Sequence, residues 1–137
     1  MIPRYRAWYV LAEEMINEIL MISFVRKEII GKFSDGSTSV PLTFEDERNG
    51  EDVILMQSTG LRDKNDKEIF EGDILACKTD DEVINLNVFW DEEHALFMFE
   101  SKKYNEQEPL AELVENNTYP FEIIGNVHEN PELLEDK

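Results

Sequence analysis

The chain has 137 residues, of which 31 are Asp or Glu and 13 are Lys or Arg, so its formal net charge is −18. Such an acidic chain argues against general binding to DNA, RNA or an anionic membrane, because neutralising phosphates requires a basic face. The charge is uneven, since residues 1–30 carry four acids and four bases and the excess of acids lies beyond them. We interpret the acidity first as a device for solubility.

Cysteine content and hydropathy indicate the compartment. The single cysteine, Cys77, excludes an intramolecular disulfide and a multi-cysteine metal site. The N-terminal residues contain no apolar segment of signal-peptide length. The longest apolar runs, Ile19–Ile22 and Ala95–Phe99, are far shorter than the roughly 20 residues of a spanning helix. We therefore expect a cytoplasmic protein that neither binds a membrane nor depends on disulfides.

The first third of the chain predicts β-structure. Arg4–Val10 is rich in aromatic residues and is predicted to be a strand. Leu11–Asn17 is predicted to be a turn or a short helix, and Ile19–Arg26 a second strand. Ser34–Ser37 contains Asp-Gly, a pair typical of tight hairpin turns. Thr38–Phe44 would be the return arm, and its proline indicates a sheet edge.

The middle of the chain alternates turns with short strands. Glu45–Asp52 is charged, contains Asn-Gly, and is our candidate boundary between two lobes. Val53–Gln57 is a short apolar run typical of a strand that is buried on both faces. Asp63–Lys67 and Glu71–Asp73 are predicted turns, and Ile74–Lys78 begins another strand.

The last third predicts a hairpin, a helix and a final strand. Val83–Trp90 and His94–Glu100 have the composition of two strands joined by a turn. Pro109–Asn116 has a single apolar face and is predicted to be a short helix. Phe121–Val127 is predicted to be the last strand, and Pro131–Leu134 a helical turn.

Strands outnumber helices, which predicts a mainly β fold with a barrel-like core and short helices. The alternative is an α+β fold. The length fits one domain over residues 1–137. Within it we expect two lobes, an N-terminal β lobe at 1–45 and a barrel-like β lobe at 53–134.

Three blocks of the sequence resemble the YopX-like proteins of phages and prophages. Arg6-Ala7-Trp8 is similar to that family's opening motif, Leu55–Ile74 to its central signature, and Ile123–Leu134 to its closing motif. The blocks occur in the expected order and span nearly the whole chain. The resemblance implies a β-rich protein of phage or prophage origin in a bacterial cell, and it supplies no catalytic residues. The motif positions are Arg6, Trp8, Thr59, Gly60, Leu61, Asp63, Asn65, Glu71, Gly72, Asp73, Ile74, Gly125, Asn126, Asn130 and Pro131.

The chain departs from the family pattern at Asp66, where such proteins usually have glycine. Asn-Gly would become Asn-Asp in a tight turn. Aspartate tolerates the left-handed backbone region better than most residues do, so we expect the turn to form at some cost in free energy.

No set of residues predicts a catalytic, cofactor or metal site. His94 and His128 are far apart and lack metal-ligand spacing. Asp63, Asn65 and Glu68 superficially match a calcium loop, but the central glycine and terminal glutamate are missing. Glu71 and Asp73 could form a carboxylate pair for acid–base chemistry. We favour the structural interpretation, in which Gly72 takes an unusual backbone conformation and Asp73 caps nearby N–H groups.

Three functional hypotheses follow. We favour a non-catalytic module that binds a protein partner or a second copy of itself. The second is an acidic decoy, which would present carboxylates as DNA presents phosphates to a host nucleic-acid-binding protein. The third, which we do not favour, is an enzyme with a carboxylate site. An exposed Trp8 or Trp90 would indicate an interface, since large aromatic side chains often anchor contacts.

Overall fold

A computed structural model describes residues 4–45, 51–116 and 119–135. All strand pairs formed by these described residues are antiparallel, and the sheets include a curled half-barrel. One seven-residue α-helix and a short 3-10 helix are the helices of the described ranges. The predicted mainly β fold is therefore confirmed, and the α+β alternative is wrong.

The chain forms two compact units, Met1–Gln57 and Ser58–Lys137. The strands that lie wholly in the first unit are β1 (Tyr5–Tyr9), β2 (Glu14–Ile16), β3 (Glu18–Ser23), β4 (Glu28–Lys32) and β5 (Leu42–Thr43). The long strand β6 (Val53–Arg62) begins in the first unit and ends in the second.

The first unit contains two sets of paired strands. β1 pairs with β2 on one side and with the first half of β6 on the other. β4 lies between β3 and β5, and a register shift interrupts its pairing with β3 between Ile19 and Met21. The core consists of buried apolar side chains from these strands and from Phe44: Ala7, Ile16, Ile29, Leu42, Phe44 and Val53.

The second unit is built on a five-stranded sheet. Its elements after β6 are β7 (Glu68–Phe70), β8 (Asp73–Lys78), β9 (Val83–Asp91), β10 (Leu96–Ser101), β11 (Glu106–Pro109), α1 (Leu110–Asn116), β12 (Phe121–Asn126) and the 3-10 helix Pro131–Leu134. The sheet order is β11-β10-β9-β8-β12, and β7 pairs with the second half of β6. Its core joins β7, β8, β9, α1 and β12 through Ile69, Leu75, Cys77, Leu86, Val88, Leu110 and Phe121.

One predicted element is wrong. Leu11–Asn17 was expected to be a turn or a short helix, yet Glu14–Ile16 forms β2 and pairs with β1. Glu13 adopts a left-handed backbone with φ of 52°, which ends the turn and starts the strand. A three-residue strand is too short for its side-chain alternation to be recognised.

The predicted lobe boundary coincides only partly with the described residues. Residues 46–50 of the predicted loop Glu45–Asp52 lie outside them. The two compact units meet at Gln57 and Ser58, inside β6. The assignment of lobes at 1–45 and 53–134 stays a prediction. No helix within the described ranges is long and apolar enough to cross a membrane.

Candidate functional site

The central motif is organised around the carboxylate of Asp63, which is 7% exposed. Its Oδ1 accepts hydrogen bonds from the backbone N–H groups of Asn65 and Lys67, each at 2.9 Å. Its Oδ2 accepts a third from the N–H of Ile123 on β12, also at 2.9 Å. One buried carboxylate therefore closes the turn after β6 and attaches it to the last strand.

The same turn is held by backbone contacts. The Lys64 N–H donates to the carbonyl of Phe121 at 3.1 Å, beside the Asp63 bond to β12. The Asp66 N–H donates to the Asp63 carbonyl at 3.0 Å, and Asp66 has a φ of 62°. Asp66, where the sequence resemblance implied a glycine, thus occupies the left-handed region, as expected.

Gly72 and Asp73 hold a second turn in place, the one before β8. Gly72 has a φ of 87°, its N–H donates to Val88 and its carbonyl accepts from Val127, both at 2.8 Å. Asp73 is 1% exposed and accepts the N–H of Phe70 at 2.8 Å. These contacts confirm the predicted backbone roles of both residues, and the Asp73 carboxylate is directed to the turn rather than to solvent.

Thr59 and Gly60 shape an irregular part of β6. The Thr59 hydroxyl donates to the carbonyl of Ile69 at 2.7 Å and accepts the Leu61 N–H at 3.1 Å. Gly60 has a φ of 79°, within the register shift between Ser58 and Arg62. The side chain of Thr59 thus replaces part of the strand pairing that the bulge interrupts.

The closing motif ties β12 to the chain that follows it. The Asn126 side chain accepts the N–H groups of His128 and Glu129 at 3.0 and 2.9 Å. Asn130 Oδ1 accepts the Asn126 N–H at 3.3 Å. A β-carbon at Gly125 would lie 2.4 Å from that same oxygen, so any larger residue would force the Asn130 side chain to move. Pro131 then begins the 3-10 helix.

The opening motif lies in the first unit. Ala7 is fully buried and Trp8 is 7% exposed, while Arg6 Nη2 lies 3.9 Å from Met56 Sδ on β6. The buried Trp8 does not provide the exposed aromatic anchor that we considered. Trp90 is 39% exposed, and its ring packs edge-to-face on Phe97 at 4.9 Å.

One group of side chains has the composition of a metal site. Ligand atoms of Asp91, Glu93 and His94 lie within 4.8 Å of one another in the turn between β9 and β10. Glu93 and His94 are exposed. His94 Nδ1 lies 2.7 Å from Asp91 Oδ2, and this hydrogen bond lowers the pKa of Asp91. We interpret the group as a hydrogen-bonded turn on the surface.

A groove of about 590 Å³ separates the start of β9 and the turn after β10 from the 3-10 helix. Asn85 Nδ2 donates to the carbonyl of Leu133 at 2.8 Å, which holds that helix against the sheet. At its rim, Glu82 accepts hydrogen bonds from Lys103 and Tyr104, which lower the pKa of Glu82. Among the described residues that line the groove, none is a histidine, cysteine or serine, and the charged ones are lysines and glutamates.

Cys77 is a free thiol on β8 and is 6% exposed. Burial raises its pKa, which keeps the sulfur in the protonated and poorly nucleophilic form. The described residues therefore contain no activated thiol, and Cys77 serves as an apolar core side chain.

The largest exposed apolar side chains of the first unit include a group on β3 and the turn after it. Leu20 and Met21 are 51% and 52% exposed, and Phe24 and Val25 are 60% and 96% exposed. We call these four residues the β3 patch. The Phe24 ring is held between Tyr5 and Phe44, with both centroid distances 6.0 Å. The sequence predicted a strand over Ile19–Arg26, but β3 ends at Ser23 and residues 24–27 form a turn. No sequence pattern indicated that these side chains would face solvent.

Comparisons with known proteins place this arrangement in a family. A family model described as YopX protein matches residues 4–135. The crystal structure of protein EF1440 from Enterococcus faecalis is 30% identical, with a TM-score of 0.68 over 98% of this chain and 99% of that chain. Protein yopX from Bacillus subtilis is 22% identical, with a TM-score of 0.63 over 96% and 97%, which shows a shared fold. A search of curated proteins gave no match. By the family match and its extent, this chain belongs to the YopX protein family.

Proposed function

We propose that this protein is a non-catalytic protein-interaction or self-assembly module, of phage or prophage type, that acts in the bacterial cytoplasm. The observation that carries the proposal is the β3 patch, four large apolar side chains that are each at least half exposed. Large exposed apolar side chains that lie close together along the chain are candidates for a binding surface. The buried free thiol of Cys77 is consistent with a reducing compartment.

The patch is partly preorganised for binding. Phe24 packs edge-to-face against Tyr5 and Phe44, at interplanar angles of 62° and 76°. Its ring therefore loses little conformational freedom when a partner covers it. Val25 lies beside it and is almost fully exposed to solvent. Covering its side chain would stabilise a complex by about 2 kcal/mol, because the apolar surface is removed from water.

The polar motif residues support a scaffold rather than a reaction. The buried carboxylates of Asp63 and Asp73 accept backbone N–H groups, and so does the buried amide of Asn126. Groups used in this way fix turns and strand ends. Because the side chains of these motifs are engaged in folding, we infer that function depends on the β3 patch instead.

The proposal is tested by placing a photo-crosslinking amino acid at Val25 in the full chain and irradiating it in bacterial cytoplasm. Val40 is the matched control, because it is also an exposed valine of the first unit, at 72%. Glu108 on β11 is a third position, which samples the acidic part of the chain.

We expect a discrete covalent adduct from Val25 and none from Val40. Equal labelling at both positions, or none at either, would overturn the proposal. An adduct from Glu108 alone would overturn it in favour of the acidic decoy.

A further inference from the structure

We propose that the occupant of the β3 patch is a second copy of this chain, related to the first by a two-fold axis. This inference rests on the proposed function and names the partner for the same surface. It is carried by the exposure of the patch, by the distribution of charge along the chain, and by the self-complementarity of β3.

The distribution of charge along the chain favours some contacts between two copies over others. Each copy has a formal net charge of −18, so most approaches bring like charges together. The patch lies within residues 1–30, where four acids are balanced by four bases. A contact through this balanced segment therefore brings together fewer uncompensated acids than a contact through residues 31–137.

The same distribution disfavours a basic partner on the patch. A basic protein would be attracted by the acids beyond residue 30, where the whole negative excess lies. The patch offers apolar side chains and no excess of either charge. Its chemistry fits an equally neutral and apolar surface, and an identical patch provides one.

The sequence of β3 is compatible with itself across a two-fold axis. An antiparallel alignment centred between Leu20 and Met21 places these two residues opposite each other and Ile19 opposite Ile22. It places Glu18 opposite Ser23, so the alignment sets no carboxylates face to face.

β3 is the end strand in the order β3-β4-β5. Leu20 is the residue at the register shift, and it and the following Met21 are both about half exposed. A two-fold contact uses the same patch on both copies and is closed after two subunits.

The test is the mass of the full chain in solution, measured by light scattering and sedimentation from low micromolar to several hundred micromolar concentration. We expect a concentration-dependent rise from 16.0 kDa toward twice that mass. Added NaCl should strengthen the dimer, because screening weakens the repulsion between two acidic chains.

Val25→Glu is the diagnostic variant, and Val40→Glu is its matched control. Val25 is 96% exposed, so the substitution should leave the fold intact, which the melting temperature will check. Val25 follows β3 and lies away from the two-fold axis, so in the dimer the substitution introduces one carboxylate at each end of the apolar contact. We expect the dissociation constant to rise by about tenfold or more with Val25→Glu, which is about 1.4 kcal/mol, and to be unchanged with Val40→Glu.

Other results would overturn the inference. A mass of one chain at every concentration and salt level does so, as does an equal effect of the two glutamate substitutions. If Val25 crosslinks to a different protein while the purified chain stays monomeric, the second copy is wrong and the interaction role stands. If Val25 gives no adduct and the chain is monomeric, both fail.

Discussion

Several turns of this protein are closed by non-glycine residues in the left-handed backbone region. Four of them stand directly before the strand that follows the turn: Glu13 before β2, Lys27 before β4, Ala95 before β10 and Asn105 before β11. A residue in this conformation at the end of a short loop returns the chain into an antiparallel partner. Because glycine is the usual residue there, these turns carry little of the sequence signature by which turns are recognised.

Asp66 is the position where this cost can be measured. Its φ of 62° disfavours any side chain with a β-carbon, by about 1–2 kcal/mol. Its carboxylate lies 3.8 Å from Arg62 Nε and is 87% exposed, so that ion pair adds little. We expect Asp66→Gly to raise the free energy of unfolding by about 0.5 kcal/mol, after the larger chain entropy of glycine is subtracted.

Urea denaturation of both proteins measures this difference. Asp80→Gly is the control, since Asp80 is exposed and has no positive φ, and we expect this substitution to lower stability slightly. A decrease in stability for Asp66→Gly as large as that for Asp80→Gly would contradict the assignment of strain.

At the scale of elements, the turn after β6 determines how the sheet of the second unit ends. β12 is the last strand in the order β11-β10-β9-β8-β12. The Asp63 carboxylate and the Lys64 N–H bind its backbone at Ile123 and Phe121. An otherwise open strand edge is thereby partly covered, which limits pairing with other chains. At the opposite edge, β11 carries Glu106 and Glu108, and charge serves the same purpose.

Asp63→Ala tests this role. The substitution removes the acceptor of three backbone N–H groups in a buried position, and we expect a loss of about 3 kcal/mol in unfolding free energy. The amide hydrogen of Ile123 should also exchange faster than the loss of global stability explains. Asp63→Asn should fall between, since an amide oxygen keeps part of the accepting capacity.

Asp35→Ala provides the comparison. Asp35 is exposed and accepts the Ser37 N–H at 2.8 Å in a surface turn, so we expect a change below about 1 kcal/mol. If the Asp63 and Asp35 substitutions cost the same, the carboxylate of Asp63 does not hold β12 in place.

The sequence predicted well those elements whose ends are clearly marked by charged residues or by proline. The hairpin of β9 and β10 and the helix α1 were predicted from apolar runs with charged or proline boundaries. The sequence did not predict that a hydrogen bond between Asp63 and Ile123 joins the central and closing motifs. Positions along the chain do not tell how close two distant segments lie in the fold. The exposure of Phe24 and Val25 was missed because the sequence predicted a strand through Arg26, whereas β3 ends at Ser23 and these two residues lie in the turn after it.

At the scale of the whole molecule, the excess of negative charge is the property that we expect to affect stability most. Of the 31 acids, 27 lie beyond residue 30, against 9 of the 13 basic residues. Like charges that folding brings close together repel one another, and unfolding separates them. The stability of this protein should therefore depend on ionic strength in a definite direction.

We expect the melting temperature to rise by several degrees between low salt and about 0.5 M NaCl, because the Debye length falls below the spacing of surface charges. Scanning calorimetry at fixed pH and low protein concentration measures it, so that association does not contribute. NaCl and KCl should act alike. A melting temperature that falls or stays constant with salt would mean that paired charges outweigh the excess of acids.

The burial of Cys77 has a practical consequence for labelling. The chain contains one cysteine, and its thiol lies in the core with a raised pKa, so maleimide reagents meet no reactive native thiol while the protein is folded. A cysteine introduced at a surface position is then the single fast-reacting group, and no native residue has to be replaced. Fluorophores and spin labels can therefore be attached to chosen strands in the otherwise unaltered sequence. The slow labelling of Cys77 would report the rate at which the whole fold opens.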